Sequence, residues 1–340
     1  RPPRYTLFPY TTLFRSGQGE TNIRLFQTIF NARLGGGIHF AWLDEWFKNT
    51  WITDPIDNGN KTLWHNITAA EQNFGLKKFV AKRDWQQWEV FDSTAVVKQL
   101  DVLQNYDFLE LRIQLKDNFE ILDELWVALD TYDSALGEIR LPNGQLLNHG
   151  AEFVLHITRH SARLYVTEAY DLFALWHRIT TPAQRHQSIP SNGEPWKIVR
   201  WMNNSGPMDI QFIGDLKVNI SVQPTSSKDA VMIDNNVLSI RLPWILINFS
   251  DPSKMLVFHD DKLTPGYESR TSDGIAVTIA YQNQLFATSS RYTWPTWIWV
   301  LREDVEEELK PAYWDMYFNL TSFNTAAIAQ PDVYVKSDNR

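Results

Sequence analysis

Residues 35–51 read GGGIHFAWLDEWFKNTW: a glycine hinge, a short unbroken apolar run, then two adjacent carboxylates among tryptophans. An apolar run of strand length without polar alternation predicts a strand buried on both faces, as in a parallel sheet covered by helices. Asp44 and Glu45 then leave its carboxyl end, the end at which barrels of alternating strands and helices carry their chemistry. Aromatic faces beside carboxylates also suit a sugar, whose hydroxyls need acceptors and whose C–H faces stack on rings.

Upstream, Ile23, Phe26, Ile29, Phe30 and Leu34 recur at three- and four-residue steps with Arg24, Gln27 and Asn31 between them. This predicts one amphipathic helix over residues 21–34, ended by Gly35, Gly36 and Gly37. Downstream, residues 52–61 are polar and turn-rich and read as a loop over strand ends. Thr68 and Glu71 form a capping box, predicting a short helix from Ala69 to about Phe74. Residues 1–16, RPPRYTLFPYTTLFRS, resemble the translation of a short-read sequencing adapter and are set aside from fold reasoning. On that reading the biological N-terminus is missing and the chain is the C-terminal part of a longer protein, so no compartment follows, although a bacterial cell envelope or extracellular setting is compatible.

Beyond Gly75 the period changes. Leu109, Leu111, Ile113 and Leu115 alternate with Glu110, Arg112 and Gln114, the pattern of a half-buried antiparallel strand. Similar segments at residues 125–129, 152–157, 163–167, 209–213, 216–223, 237–242 and 275–281 are punctuated by turns such as Pro142-Asn143-Gly144 and Asp273-Gly274. Many short strands with little helical period predict a β-sandwich. Residues 304–323, with Tyr313, Trp314, Tyr317 and Phe318 at helical spacing, predict a terminal helix, and residues 325–340 a loose tail. The expected fold class is therefore a multidomain α+β chain: residues 17–81 as the terminal βα portion of a TIM barrel, then an antiparallel β-sandwich over residues 82–324.

The formal net charge of −8 grows more negative once the three arginines of residues 1–16 are removed, which disfavours nonspecific binding to nucleic acid or anionic membrane. The absence of cysteine excludes a disulfide framework and a thiolate metal site. No apolar stretch approaches the roughly 18 residues of a transmembrane helix. Fifteen tryptophans are the compositional outlier, and tryptophan serves both cores and sugar platforms.

Neighbouring residues on a strand face opposite ways, so at most one of Asp44 and Glu45 meets a substrate; pairing with Lys48 or Arg33 is the competing use. Trp42 and Trp46 flank them. Trp294, Trp297 and Trp299 in YTWPTWIWV, with Trp196 and Trp201, are further candidates for sugar stacking, although core packing is the commoner use of such rings. Asp130, Asp133, Asp260 and Asp261 could furnish oxygen ligands to calcium, but no EF-hand spacing is present and no other cofactor is indicated. His156 and His160 lie on a strand and its turn, which argues against a zinc site.

Residues 35–48, followed by LWHN at 63–66 and EQNFGL at 71–76, resemble the end of the (β/α)8 barrel in clan A glycoside hydrolases and their bacterial relatives. The resemblance implies Trp42 at the floor of a sugar subsite and Asp44 or Glu45 positioning hydroxyls. It places the proton donor and nucleophile on upstream strands, so no catalytic pair is identified in this chain. Residues 237–255, VLSIRLPWILINFSDPSKM, and 125–137, LWVALDTYDSALG, resemble sandwich modules similar to the ninth family of carbohydrate-binding modules, a DOMON-like group. That implies a sugar gripped between two aromatic rings, sometimes with calcium in a loop. The expected function is a glycoside-hydrolase-like protein whose sandwich binds a polysaccharide or oligosaccharide. The alternative is a noncatalytic surface or assembly protein with a degenerate barrel and a protein-binding sandwich.

Overall fold

Leu109, Leu111, Ile113 and Leu115 are fully buried while Glu110, Arg112 and Gln114 between them reach solvent, so the sequence alternation becomes a sheet with one face inward. The computed structural model describes residues 7–45, 74–81, 83–105, 108–133, 135–171, 196–202, 210–220, 229–259, 268–296 and 305–328. In chain order the strands are β1 (Lys77–Ala81), β2 (Gln86–Val90), β3 (Val97–Gln104), β4 (Phe108–Leu115), β5 (Glu124–Asp130), β6 (Glu138–Arg140), β7 (Leu146–Ala151), β8 (Phe153–Thr158) and β9 (Ala162–Thr167). They continue as β10 (Trp196–Ile198), β11 (Trp201–Met202), β12 (Ile210–Gln211), β13 (Asp215–Asn219), β14 (Asp229–Asp234), β15 (Val237–Pro243), β16 (Phe249–Asp251), β17 (Leu256–His259) and β18 (Glu268–Thr271). Last come β19 (Ala276–Tyr281), β20 (Gln284–Ala287) and β21 (Val305–Leu309), and the chain is flanked by helices α1 (Leu7–Asn31) and α2 (Pro311–Ile328).

One hydrogen-bonded path runs β2-β3-β4-β15-β14-β13-β9-β8-β5-β19-β20, with β10 added to β9. Neighbours on it are antiparallel except β13 and β14, where the register also slips between Lys217 and Val218. Such an irregularity bends a sheet and lets one strand serve two layers. The path curls until its ends meet: Ser289 donates from N and Oγ to Glu89 Oε2 at 2.7 and 2.8 Å, Trp88 Nε1 donates to Ser290 O at 3.2 Å, and Phe91 meets Phe286 edge-on. One core fills the interior, from Leu100 and Leu111 on one side to Val127, Leu155 and Ile279 on the other, with Trp244 and Phe249 its largest fully buried side chains beside Phe119 and Phe153. The alternate residues of β5, β8 and β19, namely Trp126, Ala128, Val154 and Ala280, face outward. There the β6–β7 hairpin covers part of them with Leu141, Leu147 and Ala151.

The TIM-barrel expectation is corrected. Among the described residues about half are strand (49%) and 17% helix, twelve of the strands join in one curled sheet, and no βα barrel portion is present. Residues 38–43 form no buried strand: Ile38 is 99% exposed, and Leu43 makes an isolated parallel bridge to Lys77. The run is apolar, but two covering layers are missing, and apolarity without a partner does not make a strand. Helix α1 ends before the glycines. Arg33, at φ +54°, sits in the left-handed region while Arg33 N donates to Phe30 O and Leu34 N to Ile29 O, a Schellman closure. The capping-box helix at 69–74 falls outside the described residues apart from Phe74. Residues 305–309, expected as the charged start of the terminal helix, form β21 instead, because Glu306–Glu308 pair with β1 and set Glu307 and Glu308 against Lys77 and Lys78.

The chain ends are tied together by α1, α2, β1 and β21. Ile23 and Phe26 of α1 pack on Leu76, Ala312 and Met316. At Gly19 the helices approach so closely that a Cβ would lie 2.2 Å from Asp315 Oδ2. Asp44, 3% exposed, accepts from Lys310 Nζ at 2.5 Å and from Gly75 N at 3.0 Å, and Lys310 is 2% exposed.

Candidate functional site

The residues singled out by sequence divide by place. Asp44 is the ion-pair anchor just described, paired with Lys310, and Lys48 lies outside the described residues. Trp42 is 54% exposed, edge-on to Tyr313 at 5.9 Å with Lys77 Nζ 5.9 Å from its ring centroid, and among the described residues no barrel floor lies beneath it. Glu45 is half-buried next to it. Trp294 is a core residue, 5% exposed, donating from Nε1 to Pro252 O at 2.8 Å and packed against Trp244, Phe249 and Tyr292. Trp46, Trp297 and Trp299 lie outside the described residues, as do Asp260 and Asp261. The structure does not bring Trp42 and Trp294 together.

A pocket of about 250 Å³ opens instead on the outer face of the curled sheet, at the start of β5 and the end of β19. Trp126 and Ala280 are direct cross-strand partners on that face. A large flat ring beside a methyl leaves a hollow, which the turn of the β6–β7 hairpin walls with Asn143 and Gln145 and the β19–β20 turn with Gln282 and Asn283. Gln282 and Asn283 are the two central residues of a tight hairpin and sit at φ +47° and +63°. That geometry suits Asn-Gly, and a glutamine there is backbone strain held at the pocket rim.

The polar groups are organised as a chain. Gln282 Nε2 donates to Tyr281 Oη at 3.3 Å, and Tyr281 Oη donates to Asp123 Oδ2 at 3.0 Å. Burial first, then the Asp123 carboxylate, push the Tyr281 phenol up to about 12, so it remains a donor. His156 stacks on Trp126, with centroids 3.9 Å apart and planes 13° from parallel, and its Nε2 lies 2.9 Å from Glu124 Oε2. Trp126 is 7% exposed, and its indole Nε1 has no hydrogen-bond partner among the described residues. Four amides and two carboxylates around a small hollow, over a largely covered Trp126 and Ala280, can hydrogen-bond a small polar ligand.

A second polar cluster lies at the far end of β5. Arg291 forks onto Asp130, Nη1 to Oδ2 at 2.5 Å and Nη2 to Oδ1 at 3.0 Å, and its Nε lies 2.8 Å from Asp273 Oδ1. Burial nevertheless raises the Asp130 carboxyl. Glu152, 2% exposed, accepts from Thr131 N at 2.8 Å and Tyr132 N at 3.1 Å through Oε2, while Oε1 has no partner among the described residues. Burial, reinforced by Asp130, pushes the Glu152 carboxyl up to about 8. Arg270 lies 4.7 Å over the Tyr132 ring and bonds Asp133 Oδ2 at 2.9 Å, and Tyr132 Oη meets His259 Nδ1 at 2.5 Å. Asp130 and Asp133, the calcium candidates, are thus engaged by arginines, and among the described residues no three acidic or histidine side chains converge as metal ligands.

Sequence reading placed residues 125–129 and 275–281 on strands but missed Trp126 as a site residue. The legible signal was Gln282-Asn283, two polar residues between the alternating segments AVTIAY and QLFA, which is hairpin spacing. No family model, curated protein or solved structure matches the chain, so the pocket geometry carries the functional assignment.

Proposed function

We propose that the curled β-sheet unit binds carbohydrate, with the pocket beside Trp126 receiving one sugar ring of a polysaccharide or oligosaccharide. The observation that carries this is the pairing of Trp126 with Ala280 beneath a rim of amides and carboxylates. At about 250 Å³ the hollow falls just short of the roughly 300–1,000 Å³ of drug-sized ligand sites, a size suited to one ring at the end of a chain. Calorimetric titration with a panel of mono- and oligosaccharides tests it. Gln145→Ala and Asn283→Ala, both on the rim, are expected to weaken binding several-fold with the fold intact. Binding unchanged in both variants removes the assignment.

A second reading, a noncatalytic surface or assembly protein that contacts another protein, is supported by the aromatic face of α2, where Trp314, Tyr317 and Phe318 are 47%, 50% and 66% exposed. A silent glycan array, together with binding to a protein partner that Trp314→Ser abolishes, favours that reading over the first.

A further inference from the structure

The hairpin between β6 and β7 turns at Pro142-Asn143-Gly144, and its tip carries reactive chemistry of its own. Leu141 N donates to Gln145 O at 2.9 Å and Gly144 N to Leu141 O at 2.8 Å, which closes a three-residue loop. Gly144, at φ +90°, takes the left-handed position that ends such a loop. Asn143 and Gly144 are exposed, and a Cβ on Gly144 would meet no atom within 4 Å. The Asn143 side chain is held in one pose: Oδ1 accepts from Gln145 N at 3.1 Å, and Nδ2 donates to Gln145 Oε1 at 2.8 Å. A backbone N–H therefore already sits where negative charge would develop on Oδ1 if Cγ were attacked. The other Asn-Gly or Asp-Gly step among the described residues, Asp273-Gly274, is arranged otherwise: Asp273 is paired with Arg291, and a Cβ on Gly274 would lie 2.6 Å from Tyr292 O.

Independently of what the Trp126 pocket binds, we propose that Asn143 is a self-modifying site, converted through a cyclic imide with Gly144 into aspartate and isoaspartate. The Gly144 nitrogen, having lost its proton to solvent hydroxide, attacks Asn143 Cγ. The N–Cγ bond forms, the Cγ–Nδ2 bond breaks, and Nδ2 takes a proton from water and leaves as ammonia. Water then opens the five-membered ring. Cleavage at Cγ gives aspartate, and cleavage at the main-chain carbonyl gives isoaspartate, whose main chain runs through the side chain and is one methylene longer. Glycine favours the closure because it sets no side chain against the forming ring. The hydrogen bond that shapes the turn also sets the pace: Gly144 N must leave Leu141 O before it can attack, so the folded hairpin converts more slowly than an open chain. Either product places a new carboxylate on the wall that Asn143 shares with Asp123 and Glu124, and isoaspartate lengthens a loop that holds Arg140 opposite Leu146.

The test is incubation of the full chain at 37 °C and pH 8 beside a blocked peptide of residues 139–147, with proteolytic fragments followed by mass spectrometry and isoaspartate counted by enzymatic methylation. The fragment containing Asn143 is expected to gain about one mass unit, with isoaspartate in excess of aspartate, several-fold more slowly than the peptide. Asn143→Gln, whose longer side chain would have to close a six-membered ring, should hold its mass at that position. Asn235 and Asn248, followed by asparagine and phenylalanine, should stay unchanged over the same interval, and loss of either amide ahead of Asn143 overturns the choice of site. An intact Asn143 in the folded chain after the peptide has fully converted overturns the proposal, because the turn then protects the residue. Conversion to aspartate alone also overturns it, since direct hydrolysis of the amide bypasses Gly144.

Discussion

Replacing Glu152 with glutamine should remove a pH dependence of stability that the wild-type chain carries. Glu152 sits out of water at the β7–β8 junction, and its Oε2 accepts the amide hydrogens of Thr131 and Tyr132. Burial and the neighbouring Asp130 raise its folded pKa from 4.5 to about 8. Below 4.5 the group is protonated in both states and costs nothing. Between 4.5 and about 8 the unfolded chain gives up its proton while the folded chain holds it, so stability falls as pH rises. Above about 8 both states are ionised and the loss is complete. Over that interval, at about 1.36 kcal/mol per pH decade, the ceiling on the loss is about 5 kcal/mol. Because Asp130 is raised in the same direction and titrates together with Glu152, the protons leave as steps of the pair. Glu152→Gln keeps an oxygen for the two backbone donors and carries no charge at any pH. Urea unfolding followed by tryptophan fluorescence at pH 5, 6.5 and 8 measures the effect. The wild type should lose at least about 2 kcal/mol between pH 5 and 8, and the variant less than half as much. Parallel stability curves for the two proteins, or a wild type more stable at pH 8, would refute the reasoning.

Lys310→Met should destabilise the joined chain ends by about 3–5 kcal/mol, since it removes the buried ammonium that faces the buried Asp44 carboxylate. Adding Asp44→Asn to that variant should recover part of the loss, read by the same urea titration. Glu89→Ala should cost about 1 kcal/mol by releasing Ser289 at the meeting of the two sheet edges, with the denaturant slope unchanged; no change at all would mean that the edges are not held there.

Much of the sheet was legible because period two is a local signal. Leu109–Leu115 and residues 275–281 each carry their inward face in their own sequence, and the structure places both on strands. The opening apolar run failed for a nonlocal reason. FAWL reads as a doubly covered strand, but the pairing available to it is the short stretch from Phe74 to Lys77, and Ile38, Phe40 and Trp42 stay largely in solvent. The acidic segment before α2 read as a helix start because glutamates favour one, and the lysines of β1 that draw it into a strand lie more than two hundred residues away. Asp44, read from sequence as a residue positioning sugar hydroxyls or paired with Lys48 or Arg33, meets Lys310, a contact that spacing could not reveal. The pocket was hidden for the same reason. Trp126 and Ala280 are separated by most of the sheet in sequence, and the juxtaposition of a large and a small side chain exists only once β5 and β19 are paired.

Crystals of the protein soaked with the oligosaccharide that binds most tightly in the calorimetric panel test the central claim most directly. The account predicts a sugar ring seated against Trp126 and Ala280, with its polar edge toward Asp123, Gln145 and Asn283. A ring bound elsewhere on the molecule, with the Trp126 pocket empty at saturating ligand, contradicts it.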